Sequence, residues 1–454
     1  MLRAIRNSIV SLASPLSLVK EASGLLNFGR FRQRGFFQNV LVLMTSTGLA
    51  QLLTVCFIPV LSRLYDPVDF GICGTFLSIA EVLGVVVTLQ YCEALMLPAK
   101  DEVAAGVFWA AGCSVVAITI LFSVPWFLFP SLWHGLFKDP QLSQWLWLVP
   151  VAAFMTGINR MLTAWCARRK AFRRAATVQV ARSVTANCGQ TVAGAMGFGA
   201  GGLIGGGVLG DFIANLGLFF SVIRGDRALL RAGASKQQVL AAAREHKNFA
   251  LYSTPQDLLS AVSEGAPVIL LIYYFGTAVG GMYAFAARAL QFPMRFILSP
   301  LRQVLFQKLS EVHNCGGDLN ALFVKTSGTL LGIALVPAAV GFFFAPSVFG
   351  FVFGAKWVVA GEYASWLLIW LAPAFCNLPA ALLGRILGQQ RNLLLFDLGL
   401  LISRLAVLML GGQFTTPFQT IVAFSIVGAA FNISLILFIW RVLELRNVRS
   451  GSFR

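Results

Sequence analysis

The chain has 454 residues, 57% of them hydrophobic and only 12% charged, with a mean hydropathy of +0.78. Soluble domains carry about 25% charged residues, so a water-soluble globule is excluded and lipid must be the solvent for most of the surface. The net charge of +17 does not indicate a nucleic-acid binder, because Lys and Arg fall in short connections between apolar runs and form no basic domain.

The first 37 residues, beginning "MLRAIRNSIVSLASPLSLVK", are only weakly apolar and are broken by Pro15. They read as a cytoplasmic, partly amphipathic segment on the membrane surface rather than a cleaved signal peptide. Their basic end, "GRFRQRG", would meet an anionic leaflet. Twelve apolar spans follow, at about 38–62, 72–96, 103–127, 144–166, 175–197, 201–223, 250–274, 278–305, 326–347, 363–384, 393–411 and 418–440. Each is long enough to cross a hydrocarbon core of ~30 Å as a helix. The expected fold is an all-α polytopic membrane protein.

Basic residues set the orientation. With the N-terminus inside, 26 of the 35 Lys and Arg fall in inner segments, and the outer loops keep only Arg63, Lys138 and Lys356. Both termini are therefore expected to be cytoplasmic. The largest inner connection, 224–249, divides the spans six and six, giving lobes over 38–223 and 250–440 and a tail over 441–454. An even number per lobe lets both halves enter the membrane in the same direction, as parallel repeats would. "FIPVLSRLYDPVDFG" and "APVILLIYYFGTAVGGMY" echo one another, each placing proline before the outer end and glycine in a short loop.

The first outer loop is "SRLYDPVDFG", residues 62–71. Its polar groups end one helix and begin the next: Asp66 precedes Pro67, and Asp69 falls where an acid favours a helix N-terminus. "GFGAGG", 197–202, matches a dinucleotide-binding pattern but follows a membrane helix, not a strand. It reads instead as a turn before small residues, with Gly202, Gly206 and Gly210 on one helix face for close packing. The eight cysteines form no C-x-x-C pair, and no metal spacing appears. The three histidines (His134, His246, His313) fall in loops, and no motif for catalysis or ATP binding is present. No cofactor is expected.

Charges inside spans are costly and point to function. Six arginines (Arg160, Arg182, Arg288, Arg295, Arg302, Arg404) and six acids (Glu81, Glu93, Asp211, Asp257, Glu264, Asp397) lie there. Glu93, Asp257 and Arg302 fall near the inner interface, where snorkelling accounts for them. Arg160, Arg182, Arg288, Arg295 and Arg404 are candidate cavity cations for an anionic substrate. Glu81, Asp211 and Glu264 are candidate ion-coupling acids. For each the alternative is a structural ion pair. Arg288, Arg295 and Arg302 recur every seven residues, nearly two full helical turns, so they share one stripe of about 21 Å. Pro293 and Pro300 punctuate this helix, so kinks are expected in it. No acid shares the stripe, and guanidinium groups suit phosphate oxygens. Asp397 and Arg404 repeat the spacing in the eleventh span.

"LSRLYDPVDFG" with "FLSIAEVLGVVVTLQYCEALMLP" resembles the Wzx-type polysaccharide flippases of the multidrug/oligosaccharidyl-lipid/polysaccharide exporter superfamily. The likeness continues through "WCARRKAFRRAA", "NFALYSTPQDLLSAVS", "FGTAVGGMYAFAARALQFP" and "LRQVLFQ" to "FVFGAKWVVAGEYASWL", over most of 38–440. It implies twelve helices in two six-helix lobes around a central cavity, and a carrier rather than an enzyme. It also implies an undecaprenyl-diphosphate-linked glycan substrate, moved from the inner to the outer leaflet of the bacterial inner membrane for surface polysaccharides such as the O-antigen of lipopolysaccharide. Polysaccharide-assembly membrane proteins are the implied partners. By resemblance, Arg63, Tyr65, Phe70, Gly71, Arg288, Pro293, Phe353, Gly354, Trp357 and Gly361 hold signature positions, structural or substrate-binding. One stretch departs from the family: "TLQYCEA" has Gln90 where a basic residue is usual, Cys92 where an acid is usual, and Glu93 one place later. The rival readings are a drug or cation exporter of the same superfamily, favoured by an acidic cavity, and a membrane polymerase or ligase, which would need a large outer loop.

Overall fold

A computed structural model describes residues 48, 52–98, 100–128, 140–315 and 317–451. The N-terminal surface segment, the start of the first span, His134 and Lys138 lie outside the described residues. Every regular element among the described residues is a helix. The described part of the first span is α1 (Leu52–Leu64). It is followed by α2 (Pro67–Val87), α3 (Asp101–Leu128), α4 (Val149–Arg168), α5 (Phe172–Ala195) and α6 (Gly199–Ala232). A connector helix, Lys236–Glu245, and a π-helical turn, Phe249–Ser253, lead into the second set. That set comprises α7 (Thr254–Phe275), α8 (Thr277–Asn314), α9 (Leu319–Phe353), α10 (Val358–Cys376, continued by Leu378–Ile386), α11 (Gln390–Phe414) and α12 (Pro417–Gly451). Twelve helices thus stand where twelve spans are expected.

Among the described residues, nine stretches are apolar and long enough to cross a membrane by themselves. The exceptions have physical reasons. Only Leu52–Leu64 of α1 is described. α5 carries Arg173, Arg174 and Arg182 and buries Asn187 and Gln190 against its neighbours. α8 carries the arginine series and runs out to Asn314 past Lys308 and Glu311. Its helical assignment is unbroken through Pro293 and Pro300, where kinks are expected from sequence.

The helix ends differ from the expected spans where the backbone turns. The second span ends early because Leu89 and Gln90 adopt φ of 45° and 53°, in the left-handed region. Only a short turn, Tyr91–Ala94, follows. The tenth span bends at Asn377, which caps both of its pieces. α6 is kinked at Asp226 (φ −125°, ψ 23°).

The helices are joined by short turns at one face, after α1, α7, α9 and α11. The α7–α8 and α9–α10 turns use Gly276 (φ 92°) and Gly354 (φ 108°), a backbone region that favours glycine. In the first lobe the small-residue face of α6 lies against α5. A Cβ at Gly206 would stand 2.6 Å from the Gln190 backbone nitrogen, and one at Gly210 would stand 2.7 Å from the Ala186 Cβ.

The tightest crossing joins the two lobes, where α2 meets α8 at the short-turn face. A Cβ at Gly281 would lie 1.7 Å from the Pro67 carbonyl oxygen, and one at Gly71 would lie 2.2 Å from that of Thr277. Both obstacles are backbone atoms, so the helices themselves must separate to admit a methyl group. Gly281→Ala is therefore expected to destabilise the protein by at least the ~1–3 kcal/mol of ordinary overpacking. A lowered thermal unfolding midpoint of the purified protein would measure it. An unchanged midpoint would mean that the crossing is looser than described.

Candidate functional site

The signature residues from the two ends of the likeness meet at this crossing. Tyr65 and Phe70, in and just after the α1–α2 turn, lie against Phe285 of α8, Phe353 at the end of α9 and Trp357 of the α9–α10 turn. Phe285 stacks on Trp357 with ring centres 4.0 Å apart, and Phe70 meets both edge-on at 5.1 Å. Phe353 meets Phe285 edge-on at 5.0 Å. Edge-to-face and offset contacts of this kind suit aromatic quadrupoles. Trp357 and Tyr65 are almost wholly buried.

Polar groups stitch the same seam. Trp357 Nε1 donates to the Ser62 carbonyl at 2.8 Å, and Ser62 Oγ donates to the Phe353 carbonyl at 3.2 Å. Lys356 Nζ donates to the Tyr65 carbonyl at 2.7 Å and to Asp66 Oδ1 at 2.8 Å. Asp66 N–H donates to Asp69 Oδ2 at 2.9 Å, which fixes the start of α2. Tyr65 Oη donates to the Gln190 carbonyl at 2.5 Å and so ties the turn to α5. Gly361 lets α10 reach α9, since a Cβ there would stand 2.6 Å from Pro346 Cα. Arg63 is exposed. The short-turn face is thus closed between the lobes by an aromatic plug and a hydrogen-bonded strap. The sequence reading treats Asp66 as a helix-ender and Lys356 as a topology marker, and it misses their pairing. The signal was there: two short loops of opposite charge at the same face.

Beneath the plug, Arg288 of α8 lines a recess with Thr54, Ile58 and Leu61 of α1, Phe70 of α2 and Phe285. Arg288 lies eleven residues from the start of α8, roughly 17 Å in at 1.5 Å per residue, hence at mid-depth. None of the ion pairs among the described residues includes it. Further along α8, Pro293 and Arg302 are exposed. The Arg295 side chain lies outside the described residues.

The structure divides the remaining in-span charges. Arg160 pairs with Glu81 at 2.6 Å, joining α4 to α2. Arg182 pairs with Asp211, joining α5 to α6. Two candidate cations and two candidate coupling acids therefore face one another inside the first lobe, as charges in lipid do when a partner is in reach. Glu264, on α7, lies within electrostatic reach of Arg404. Arg404 is 8% exposed, and its guanidinium sits between Trp370 of α10 and Phe424 of α12.

At the opposite face, the basic run after α4 is held by two acids that the sequence reading does not single out. Arg168 and Arg169 both pair with Asp101, while Arg169 and Arg174 pair with Asp226 at the α6 kink. Arg168 also donates to the carbonyls of Leu95 and Pro98. This network braces the first lobe at that end. Glu93, in the turn beyond α2, has its carboxyl pushed above the ordinary range by burial; Asp257 adds to the shift, and Arg160 and Arg385 oppose it. No cluster of metal-ligating side chains occurs among the described residues.

Solved structures of similar fold include the lipid II flippase MurJ in an inward closed conformation. It shares 12% identity, with a TM-score of 0.69 over 90% of this chain and 91% of that one. The inward-facing conformation of a multidrug resistance MATE family transporter of the MOP superfamily follows at 15% identity, with a TM-score of 0.63 over 88% and 95%. Identities this low establish the fold. The succinoglycan biosynthesis transport protein ExoT of Rhizobium meliloti (strain 1021) is 23% identical over 310 residues, 67% of this chain but only 59% of that protein. The family model described as "Polysaccharide biosynthesis protein" matches residues 60–362, which run from the turn bearing Tyr65 and Phe70 to just beyond Gly361. The plug, the Arg288 recess and the glycine crossing all lie within that match apart from the α1 wall, and the chain belongs to the polysaccharide biosynthesis protein family.

Proposed function

We propose that the protein is a secondary carrier that moves a polyprenyl-diphosphate-linked oligosaccharide, of the undecaprenyl type, across the bacterial inner membrane for surface polysaccharide assembly. The observation that carries this reading is Arg288: a mid-depth guanidinium between the two lobes, outside every ion pair among the described residues. An unpaired cation at that depth is costly unless water or an anion receives it. A diphosphate supplies the anion, and a planar fork of N–H donors matches its oxygens.

The lobes, taken as 38–223 and 250–440, rock about the seam. In the state described the short-turn face is shut, so the diphosphate enters from the basic face. Arg288 takes it, the plug parts and the glycan leaves on the far side, while the polyprenyl tail stays in lipid. The basic face is cytoplasmic on the positive-inside rule, and both termini lie there. Deleting the gene should leave lipid-linked oligosaccharide on the cytoplasmic leaflet and remove surface glycan. Normal surface glycan in a strain lacking any other flippase would rule the function out.

The orientation has its own test. In a cysteine-free background, a cysteine at Lys356 should react with an impermeant thiol reagent added to intact cells, and one at Lys236 should not. Labelling at Lys236 in intact cells would reverse the topology without touching the fold.

A further inference from the structure

A groove on the second lobe is built from α9, α10 and α12 alone, whereas the Arg288 recess draws on α1, α2 and α8. Three rings run along it. Trp366 of α10 meets Phe342 of α9 edge-on with ring centres 5.5 Å apart, and Phe418 of α12 at 6.2 Å. Pro346, Glu362 and Ser365 complete the lining. The space is about 380 Å³, within the ~300–1,000 Å³ typical of small-molecule sites. Glu362, Ser365 and Trp366 stand at i, i+3 and i+4, so the acid, the hydroxyl and the indole share one face of α10.

Glu362 is the one charged residue of this lining. It is exposed, and it forms no ion pair or hydrogen bond among the described residues. Ser365 Oγ is committed to the Gly361 carbonyl at 3.1 Å. A carboxylate only accepts hydrogen bonds, and aromatic faces attract cations through their quadrupole. Together they select an ammonium group. Depth selects what the ammonium is attached to. Glu362 lies four residues into α10, about 6 Å from the short-turn face, while Phe342 lies eleven residues before the end of α9, about 17 Å in. The charge therefore sits at headgroup level and the rings continue down to acyl-chain level. Beside the groove, α9 leaves Val340, Phe343 and Phe344 exposed, so this flank faces hydrocarbon and an occupant arrives from the bilayer. We propose that the groove binds a phospholipid with a primary-ammonium headgroup, of the phosphatidylethanolamine type, in the leaflet at the short-turn face. The ammonium pairs with Glu362 over Trp366, and an acyl chain lies along Pro346 and Phe342. A primary ammonium brings three N–H donors to the carboxylate and a trimethylated one brings none, so phosphatidylcholine binds less well. The proposal stands independently of what the carrier transports.

The test uses the purified full-length protein, delipidated in detergent. Dioleoyl phosphatidylethanolamine, phosphatidylcholine and phosphatidylglycerol are added in turn, as is the chain-free headgroup glycerophosphoethanolamine. Native mass spectrometry counts bound lipid, and the unfolding midpoint reports binding to the folded state by mass action. The wild type should bind phosphatidylethanolamine saturably and more tightly than the other two lipids. Glu362→Gln should weaken that binding about fivefold, the upper end for an exposed ion pair, and should leave phosphatidylglycerol unaffected. Because Glu362 is exposed and unbonded, this variant should fold as the wild type does. Glu362→Lys should reverse the preference in favour of phosphatidylglycerol. Trp366→Leu, which keeps an apolar floor but loses the ring face, should weaken phosphatidylethanolamine binding about threefold. Equal wild-type affinity for phosphatidylethanolamine and phosphatidylglycerol, or undiminished phosphatidylethanolamine binding by Glu362→Gln, would overturn the proposal. Glycerophosphoethanolamine binding as tightly as the intact lipid would also overturn it, by making the occupant a soluble amine.

Discussion

Arg288→Ala is expected to abolish transport, by roughly 100-fold or more, while the protein accumulates in the membrane at its normal level. The magnitude follows from two lost charge-assisted hydrogen bonds to a diphosphate, each worth ~1.5–3 kcal/mol. Arg288→Lys should keep a fraction of transport, because the charge remains and the bidentate fork does not. Arg295→Ala is expected to fail as well, on the seven-residue spacing that puts both residues on one stripe of α8. A purely structural Arg288 makes the opposite forecast. Its loss would lower abundance, and Arg288→Lys would restore abundance and transport together. Surface glycan and membrane protein level, measured on the same cells, separate the two. Full transport by Arg288→Ala at normal abundance would end the anion-receptor reading.

That reading began in the sequence, and the reasons it did so are physical. A cation in an apolar run is conspicuous because lipid penalises it wherever it sits. The sequence therefore exposes Arg160, Arg182, Arg288 and Arg404 equally well. It cannot say which of them a partner neutralises, because pairing depends on helix contacts far apart in the chain: Glu81 is 79 residues from Arg160, and Asp211 is 29 from Arg182. Arg404 is harder still. Its surroundings come from α10 and α12, and nothing in its own span announces Trp370 or Phe424. Helix number was legible from apolar runs alone. Helix ends were not, since a left-handed pair at Leu89 and Gln90 carries no glycine or proline to mark it. The signature "SRLYDPVDFG" was legible as a turn, but its function in closing the seam required "FVFGAKW", 291 residues away at the Ser62–Phe353 contact.

The largest conformational effect is expected at that seam. If the carrier works by alternating access, the short-turn face must open in every cycle, and the plug and strap must come apart. Cysteines at Asp66 and Lys356, in a background where the eight native cysteines are replaced, offer a way to hold it shut. None of the native cysteines is in a disulfide, so their removal leaves no cross-link to replace. The two side chains meet at 2.8 Å, but lysine is long, so a short reducible bis-thiol reagent is needed to bridge the shorter cysteines. Bridging should stop transport completely, and reduction should restore it. Each single-cysteine variant treated in the same way should transport normally, because the Lys356–Asp66 pair is surface-exposed and such pairs contribute only about 0–1 kcal/mol. The stacked rings of Phe285 and Trp357 and the backbone crossing at Gly281 hold the closed state without it. Undiminished transport in fully bridged protein would mean that the seam does not part, and that substrate passes by a route other than between the lobes.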